Sequence, residues 1–163
     1  MIKKKSLKTI ASSLLLTLFV IQFIPLNRIN PPETSPISAP GEVIAVLQKS
    51  CFDCHSHHTK WTRPAYVAPI SWAISAKVAH ARRALNFSKW NYAGANDDKA
   101  RIEAMRKTVL GADQHQQLYY IANPQARLTA GERDLLLNWI KNFQREQQTE
   151  FKNSGNTPPG KRL

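Results

Sequence analysis

The chain has 163 residues, of which 42% are apolar and 21% charged, so it can form one domain of ordinary size around a core. Two cysteines cannot build a disulfide scaffold, which excludes that class of small exported protein. Lys and Arg outnumber Asp and Glu by 23 to 11, a formal net charge of +12. No helix-turn-helix, zinc-finger spacing or RNA-binding signature accompanies this charge, so nucleic acid is not an expected partner.

The first predicted element is a membrane helix. Residues 1–8 form a basic start with four lysines, and residues 9–26 form an uncharged, mostly apolar run. A helix of that length spans about 27 Å, close to the hydrocarbon core of a bilayer. Because no small-residue cleavage site follows directly, we interpret the run as an uncleaved transmembrane anchor, with a cleaved signal peptide as the alternative.

The lysines also predict the orientation of this anchor. Basic residues beside a membrane helix stay in the cytoplasm, and only Arg28 opposes them on the other side. The rest of the chain is therefore expected on the exported side. In a bacterium this means a single-pass protein of the inner membrane, with its domain in the periplasm or on the outer face.

Composition divides the remaining chain into three parts. Residues 27–40 contain four prolines and predict an extended, semi-stiff linker that holds a domain away from the membrane. Residues 41–147 are the expected folded domain. Residues 148–163 are polar and contain Gly155, Pro158, Pro159 and Gly160, a composition typical of a disordered tail.

Hydrophobic periodicity in the folded part predicts helices. Residues 41–50 and 71–85 each carry apolar side chains at helical spacing. Residues 97–110 form a third stripe, which ends at Gly111. Residues 56–70 are punctuated by proline and predict an irregular loop.

The last helix has the clearest start. Thr129 and Glu132 have the spacing of a capping box, and Leu136, Trp139, Ile140 and Phe143 follow at helical spacing. No segment alternates like a strand, and no internal repeat is visible. The predicted fold class is all-α, a small helical domain behind an N-terminal transmembrane helix.

Residues 51–55 carry the chemistry, since they read C-x-x-C-H, the attachment pattern of haem c. Two thiols separated by two residues can reach the two vinyl groups on one edge of a haem and form thioethers. The histidine after the second thiol is then directed beneath the iron. We therefore predict one covalently attached haem c, with Cys51 and Cys54 as attachment residues and His55 as the proximal axial ligand.

Three other roles for the cysteines compete with this interpretation. A zinc site would need two more ligands at finger-like spacing, and none is found. A redox pair of the thioredoxin type would need a βαβ context, which the helical patterns contradict. A structural disulfide would close a very small loop and add little stability.

Several segments around the motif resemble the haem-binding domain family. The resemblance covers most of residues 15–143 and implies a membrane-anchored, cytochrome-c-like domain with Cys51 and Cys54 attached and His55 ligating. The similar residues are 21–25, 51–56, 59–61, 66–72, 85–88 and 123–129, together with Trp90 and Trp139. Family members usually carry a Met-Pro pair ahead of the last helix, which looks like the second axial ligand. The corresponding residues 113–116 contain no methionine.

The second axial ligand therefore has several candidates. His115 is our first choice because it lies beside the position of the family's methionine, and an exposed loop histidine is its alternative role. Met105 and His80 are further candidates, although Met105 also fits plain core packing on its apolar stripe. His57 and His58 are too close to the motif to reach the opposite face of the iron, so we expect them to face solvent. A vacant sixth site is a further alternative.

These predictions lead to a function. The primary hypothesis is a membrane-anchored mono-haem c-type cytochrome that transfers electrons on the exported side. It would be an electron carrier rather than an enzyme, and its linker would let the domain swing between partners. A haem-based gas or redox sensor is the alternative, and a weak peroxidase is a third. The expected partners are the membrane and redox proteins, and the charge of the basic domain suits either an acidic redox partner or anionic lipid. Lys77, Arg82 and Arg83 either pair with haem propionates or form a solvated face.

Overall fold

The computed structural model describes residues 4–90, 95–111 and 117–153. Its helices are α1 (Lys4–Val20), α2 (Gly41–Ser50), α3 (Phe52–His55), α4 (Ile70–Ala84), α5 (Ala95–Leu110), α6 (Gln117–Ala122) and α7 (Ala130–Asn153). Short 3-10 turns occupy Ile21–Phe23, Arg63–Tyr66 and Pro124–Ala126. The described residues contain no strand, apart from a single bridge between Ser35 and Lys89, so the all-α fold class is confirmed.

The apolar core lies between α2, α5 and α7. Helix α7 contacts both α5 and α2, and each helix turns its predicted apolar stripe inward. Burial of one such side chain stabilises the fold by about 1.5–3 kcal/mol. The buried apolar side chains on these helices are Val43, Val46, Leu47, Ile102, Met105, Val109, Leu136 and Ile140.

The start of α7 has the predicted capping box. The Thr129 N–H donates to the Glu132 carboxylate at 2.9 Å, and the Glu132 N–H donates to Thr129 Oγ1 at 3.3 Å. Lys49 Nζ of α2 lies 2.6 Å from both carboxylate oxygens of Glu132. The cap therefore also joins α7 to the end of α2.

Helix α1 is long and apolar enough to cross a membrane over Ser6–Phe23, and none of that span is buried. Because a signal sequence near an N-terminus meets the same criteria, both interpretations of the run remain. The observed span begins three residues earlier than the predicted 9–26. It ends ahead of Pro25, where Ile24 adopts an extended backbone, as a residue before proline prefers.

Residues 27–40 are extended, as expected, but they do not stand free of the domain. The Ile37 N–H donates to Phe87 O at 2.8 Å, and the Trp90 N–H donates to Ser35 O at 2.7 Å. Ile37 is buried in the core cluster. Residues 27–40 and residues 85–90 both run outside the α-helices, so their backbone N–H and C=O groups need hydrogen-bond partners. Here each segment supplies partners for the other. This packing corrects the prediction of a spacer that lifts the domain off the membrane.

Two helices differ from the sequence prediction. Helix α7 continues to Asn153, into the segment 148–163 that was predicted to be disordered, because no Gly or Pro interrupts it before Gly155. Residues 154–163 lie outside the described residues. Helix α6 was not predicted, since its six residues are too few for a periodic pattern.

Candidate haem-binding site

The motif forms one tight turn directly after α2. The Cys51 N–H donates to Leu47 O at 2.8 Å and so caps α2. The N–H groups of Cys54 and His55 then donate back to Cys51 O, at 3.2 and 2.9 Å, and form the turn of α3. Residues three apart on a helical turn lie on one side, so both thiols are presented on the same side of α3. Both cysteines are reduced and partly buried.

The surroundings of the thiols keep them protonated at neutral pH. Burial, with a smaller contribution from Cys54, raises the pKa of Cys51 to about 12. Burial and the charge of Asp53 raise the pKa of Cys54 to about 11, against the opposing charges of Lys77 and Arg82. Redox-active cysteine pairs have lowered pKa values. These pKa values, together with the lack of strands among the described residues, argue against a thioredoxin-like pair.

His55 is oriented by the chain segment that follows α4. Its Nδ1 lies 3.1 Å from Leu85 O, and since a carbonyl oxygen can only accept, Nδ1 carries the proton. This tautomer leaves the lone pair on Nε2, the form of imidazole that binds a metal. The Phe87 N–H donates to His55 O at 2.8 Å and fixes the backbone of the motif from the same segment.

Aromatic rings pack beside the motif on the side of residues 85–90. Phe52, inside the motif, stacks on Phe87 with 5.3 Å between ring centroids, and Phe87 stacks on Trp90 at 5.9 Å. The His55 ring contacts Phe87 edge-on at 6.3 Å. These rings pack α3 against the core and give the His55 side of the motif an apolar wall.

Helix α6 also contacts the motif. The Tyr119 hydroxyl donates to Asp53 Oδ2 at 2.6 Å. Burial and this hydrogen bond raise the pKa of Tyr119, so the hydroxyl remains a donor. Asp53 occupies a variable position of the C-x-x-C-H pattern, and no sequence signal paired it with Tyr119, which lies 66 residues away.

Arg82 is bonded within the protein and does not form the solvated face that was one of its two predicted roles. Its guanidinium donates to Ser56 O at 2.8 Å, to Ile29 O at 3.0 Å and to side-chain oxygens of Asn30 and Thr59 at 2.8 and 2.9 Å. Arg82 therefore ties the segment before α2 and the segment after α3 to α4. The pairing of an arginine with distant backbone carbonyls leaves no pattern in the sequence.

Two candidates for the second axial ligand, Met105 and His80, are described by the structure, and they lie in different environments. Met105 is buried in the core beside Ile102, at the position that plain packing predicted. His80 is exposed on the outer face of α4. His115, the first choice for the distal ligand, lies outside the described residues, as do all of residues 112–116.

One histidine prediction was wrong. His57 was expected to face solvent, but it is buried, and its Nδ1 donates to Pro32 O at 3.1 Å. Its Nε2 accepts a hydrogen bond from the Asn86 side-chain amide at 3.0 Å. His57 therefore joins the extended segment 27–40 to residues 85–90. His58 is exposed, as predicted, and pairs with Glu33 at 2.9 Å.

The residues of the site fit a haem. Two protonated thiols on one side of a turn suit addition to two vinyl groups, and an imidazole with its Nε2 lone pair suits iron. Among the described residues, the buried indole N–H groups of Trp61 and Trp72 lack a hydrogen-bond acceptor. A haem brings two carboxylates that could accept such bonds. No group of three or more His, Cys, Asp or Glu side chains in the described part of the chain could hold a metal ion, so a zinc site lacks its ligands there.

Comparison with known proteins identifies the family. A family model described as the haem-binding domain matches residues 16–142, a range that contains the C-x-x-C-H motif and α2 to α6. No curated protein and no solved structure matches the chain. Since the matched range covers most of the sequence and includes the site built above, the chain belongs to the haem-binding domain family.

Proposed function

We propose that this protein is a membrane-anchored mono-haem c-type cytochrome that carries electrons on the exported side of a bacterial inner membrane. The observation that carries the proposal is the geometry of residues 51–55. Two reduced thiols lie on one side of a single turn, and the next residue is a histidine whose Nδ1–H is bound to Leu85 O. That combination provides two points of covalent attachment and one oriented ligand.

Cys51 and Cys54 would hold the haem as thioethers. Each thiol adds across a vinyl group: its sulfur forms a bond to one vinyl carbon, and the thiol hydrogen passes to the other. No oxidant is needed for this addition, which requires both cysteines to be reduced, and they are. Burial raises the pKa of both thiols, so they are held in the protonated form that carries the hydrogen for this addition.

His55 would bind the iron through Nε2. The hydrogen bond from Nδ1 to Leu85 O keeps the ring orientation fixed and makes Nε2 a better donor. When bound, haem supplies an iron that cycles between its ferric and ferrous states. The aromatic wall of Phe52 and Phe87 keeps water away from this side of the site, which favours small reorganisation during electron transfer.

For the distal side we propose His115. Tyr119 lies four residues farther along the chain, and its hydroxyl is held at the motif by Asp53. That contact brings α6 to the motif, which supports a ligand close to the start of α6 in the chain. Ligation by two histidines would give a lower reduction potential than ligation by histidine and methionine.

The membrane assignment rests on α1 and on charge. The span Ser6–Phe23 is apolar and fully exposed, and lysines precede it while no acidic residue occurs before Glu33. The same orientation would expose the motif to the compartment in which c-type haem is attached. A redox protein with an acidic surface is the partner we propose for the basic domain.

The first experiment tests attachment. The full chain is produced with a haem c maturation system, and haem that survives denaturing electrophoresis is stained. We expect staining of the wild-type chain and none for the Cys51→Ala/Cys54→Ala variant. A wild-type chain that loses its haem on denaturation would overturn the c-type assignment.

The second experiment tests the distal ligand by absorption spectroscopy of the reduced protein with and without carbon monoxide. The wild type is expected to keep low-spin bands that resist the gas. His115→Ala should become high-spin and bind carbon monoxide, while His80→Ala, which changes an exposed histidine, should not. An unchanged spectrum in His115→Ala would refute this ligand. Rapid carbon monoxide binding by the wild type would favour the sensor over the electron carrier.

A further inference from the structure

The end of the membrane helix is bonded to the haem domain at a defined point. Gln22 lies near the end of the span Ser6–Phe23. Its side-chain Nε2 donates to Ala68 O at 3.2 Å, and its Oε1 accepts from the Ala68 N–H at 3.0 Å. One amide thus pairs with both backbone groups of a single residue 46 positions away.

A second contact strengthens this junction. Arg28 donates to Ala65 O at 3.2 Å, and its guanidinium carbon lies 4.7 Å from the centroid of the Tyr66 ring. Residues 65–68 are therefore held at both Gln22 and Arg28, immediately beyond the membrane span. With α1 across a bilayer, Gln22 would mark the level at which the span ends, and residues 65–68 would lie at the level of the bilayer surface.

An apolar patch occupies this level. Tyr66, Val67 and Ile70 have 58%, 53% and 55% of their surface exposed. Single exposed apolar residues are ordinary, but three within five positions, on a segment bonded to the end of the apolar helix, mark a candidate interaction surface. We call Tyr66, Val67 and Ile70 the junction patch. Tyrosine is also a residue that membrane–water interfaces favour.

The stretch of sequence that contains the junction patch carries charge of one sign. Residues 54–90 contain six Lys and Arg and no Asp or Glu, and no acidic residue precedes Glu33. Arg63 is exposed in the turn that leads into the patch. Apolar side chains with basic neighbours are the combination that binds a bilayer surface with acidic headgroups.

We propose that the junction patch docks into the headgroup region of the bilayer that α1 spans, with Val67 and Ile70 inserted at the acyl boundary and the basic residues on acidic lipid. The inference rests on the proposed function only in requiring that α1 crosses the membrane. It replaces a domain that swings on a linker with a domain held in one orientation on the membrane. A docked domain presents a fixed side of its haem site to partners in the same membrane.

The test uses lipid crosslinking of the full haem-loaded chain in nanodiscs of phosphatidylethanolamine and phosphatidylglycerol. Benzoylphenylalanine is placed at one position at a time: in place of Leu15 within the span, of Ile70 in the junction patch, or of Leu110 on α5. Leu110 is the matched control because its exposed fraction, 50%, is close to the 55% of Ile70. Lipid adducts are expected at positions 15 and 70, and severalfold fewer at position 110.

The three positions separate failure of the anchor from failure of the inference. Adducts at position 15 with no excess at 70 over 110 would overturn docking and leave the anchor intact. The absence of adducts at position 15 would overturn the anchor, and docking with it. Staining for attached haem on the same samples reports the cytochrome assignment independently of both.

A second experiment tests the junction patch by placing a negative charge in it. With benzoylphenylalanine in place of Val67, Ile70→Glu is compared with Leu110→Glu. The variant removes the apolar surface that Ile70 would bury in the bilayer and adds a negative charge. It should lower the ratio of docked to undocked domains by about tenfold or more. Leu110→Glu should leave the yield at position 67 unchanged. Equal yields in the two variants would contradict docking through the junction patch.

Discussion

The two sides of the domain are held together by different forces. On one side, α2, α5 and α7 pack through apolar side chains with complete burial of Leu47, Leu136 and Ile140. On the other side, residues 27–40, α3, α4 and residues 85–90 are joined by many hydrogen bonds to groups distant in sequence, in addition to the packed rings of Phe52, Phe87 and Trp90. The first side provides stability, while the second fixes polar groups at defined positions. The haem site proposed here would need the second kind of structure, because it would have to orient two thiols and one imidazole.

The largest loss of stability is expected from a substitution among the apolar side chains of α2, α5 and α7. Leu136→Ala removes a fully buried side chain from the contact between α7 and its neighbours. The free energy of unfolding should fall by about 2–5 kcal/mol, since the lost burial is accompanied by a cavity. Urea unfolding of the full chain in detergent, followed by circular dichroism, measures this change.

The control for that variant is Leu110→Ala, which truncates an exposed leucine on α5. It should change the free energy of unfolding by less than about 0.5 kcal/mol. Equal losses in the two variants would mean that the packing of α2, α5 and α7 is not the main source of stability.

Arg82→Met tests the hydrogen bonds that join residues 27–40 and α3 to α4. The variant keeps most of the aliphatic stem and removes the donors to Ser56, Ile29, Asn30 and Thr59. We expect a loss of about 2 kcal/mol, because buried acceptors such as Ser56 O are left without a partner. Hydrogen exchange should rise in residues 27–40 and around α3 more than in α7.

The neighbouring Arg83→Met tests whether charge alone explains the effect, since Arg83 is exposed on the same helix. It removes the same charge and should leave both the stability and the exchange pattern nearly unchanged. A uniform rise in exchange over the whole domain in Arg82→Met would contradict the division into two sides.

The same division explains what the sequence could predict. The helices of the apolar side follow from periodicity and from one capping box, and Met105 fell in the core as its stripe implied. The C-x-x-C-H pattern predicts Cys51, Cys54 and His55 as haem residues because covalent chemistry fixes their spacing, and the structure brings these three residues together in one turn. In contrast, the roles of Arg82, His57 and Gln22 depend on partners between 23 and 53 residues away. A single sequence has no periodic signal for such pairs, and proline-rich composition indicates an extended backbone without indicating what it packs against.

A smaller effect is expected where α6 meets the motif. Tyr119→Phe removes only the hydroxyl that donates to Asp53 and should cost about 1 kcal/mol of stability. If the contact positions the distal side of the site, the reduced variant should also bind carbon monoxide faster than the wild type. Tyr66→Phe, which removes an exposed tyrosine hydroxyl, serves as the control and should change neither quantity. A loss of stability without any change in gas binding would limit Tyr119 to a structural role.

The smallest change in stability is expected at Glu132, which links α2 to the cap of α7. This contribution to stability depends on pH. Lys49 first, and then the Thr129 N–H, lower the pKa of Glu132 below its ordinary value of 4.5. A carboxyl whose pKa is lowered by folding stabilises the folded state above that ordinary value, and the contribution disappears as the pH falls through the folded pKa. Glu132→Gln should therefore cost about 0.5–1 kcal/mol at neutral pH and nothing in strong acid.

Lys49→Met separates the two parts of this contribution. It removes the ion pair but leaves the bonds between Glu132 and Thr129, so it should lose part of the stability and part of the pH dependence. The double variant should lose less than the sum of the two single losses, because both remove the same pair. Strictly additive losses would show that Lys49 and Glu132 act independently, and the cap would then stabilise α7 alone without joining it to α2.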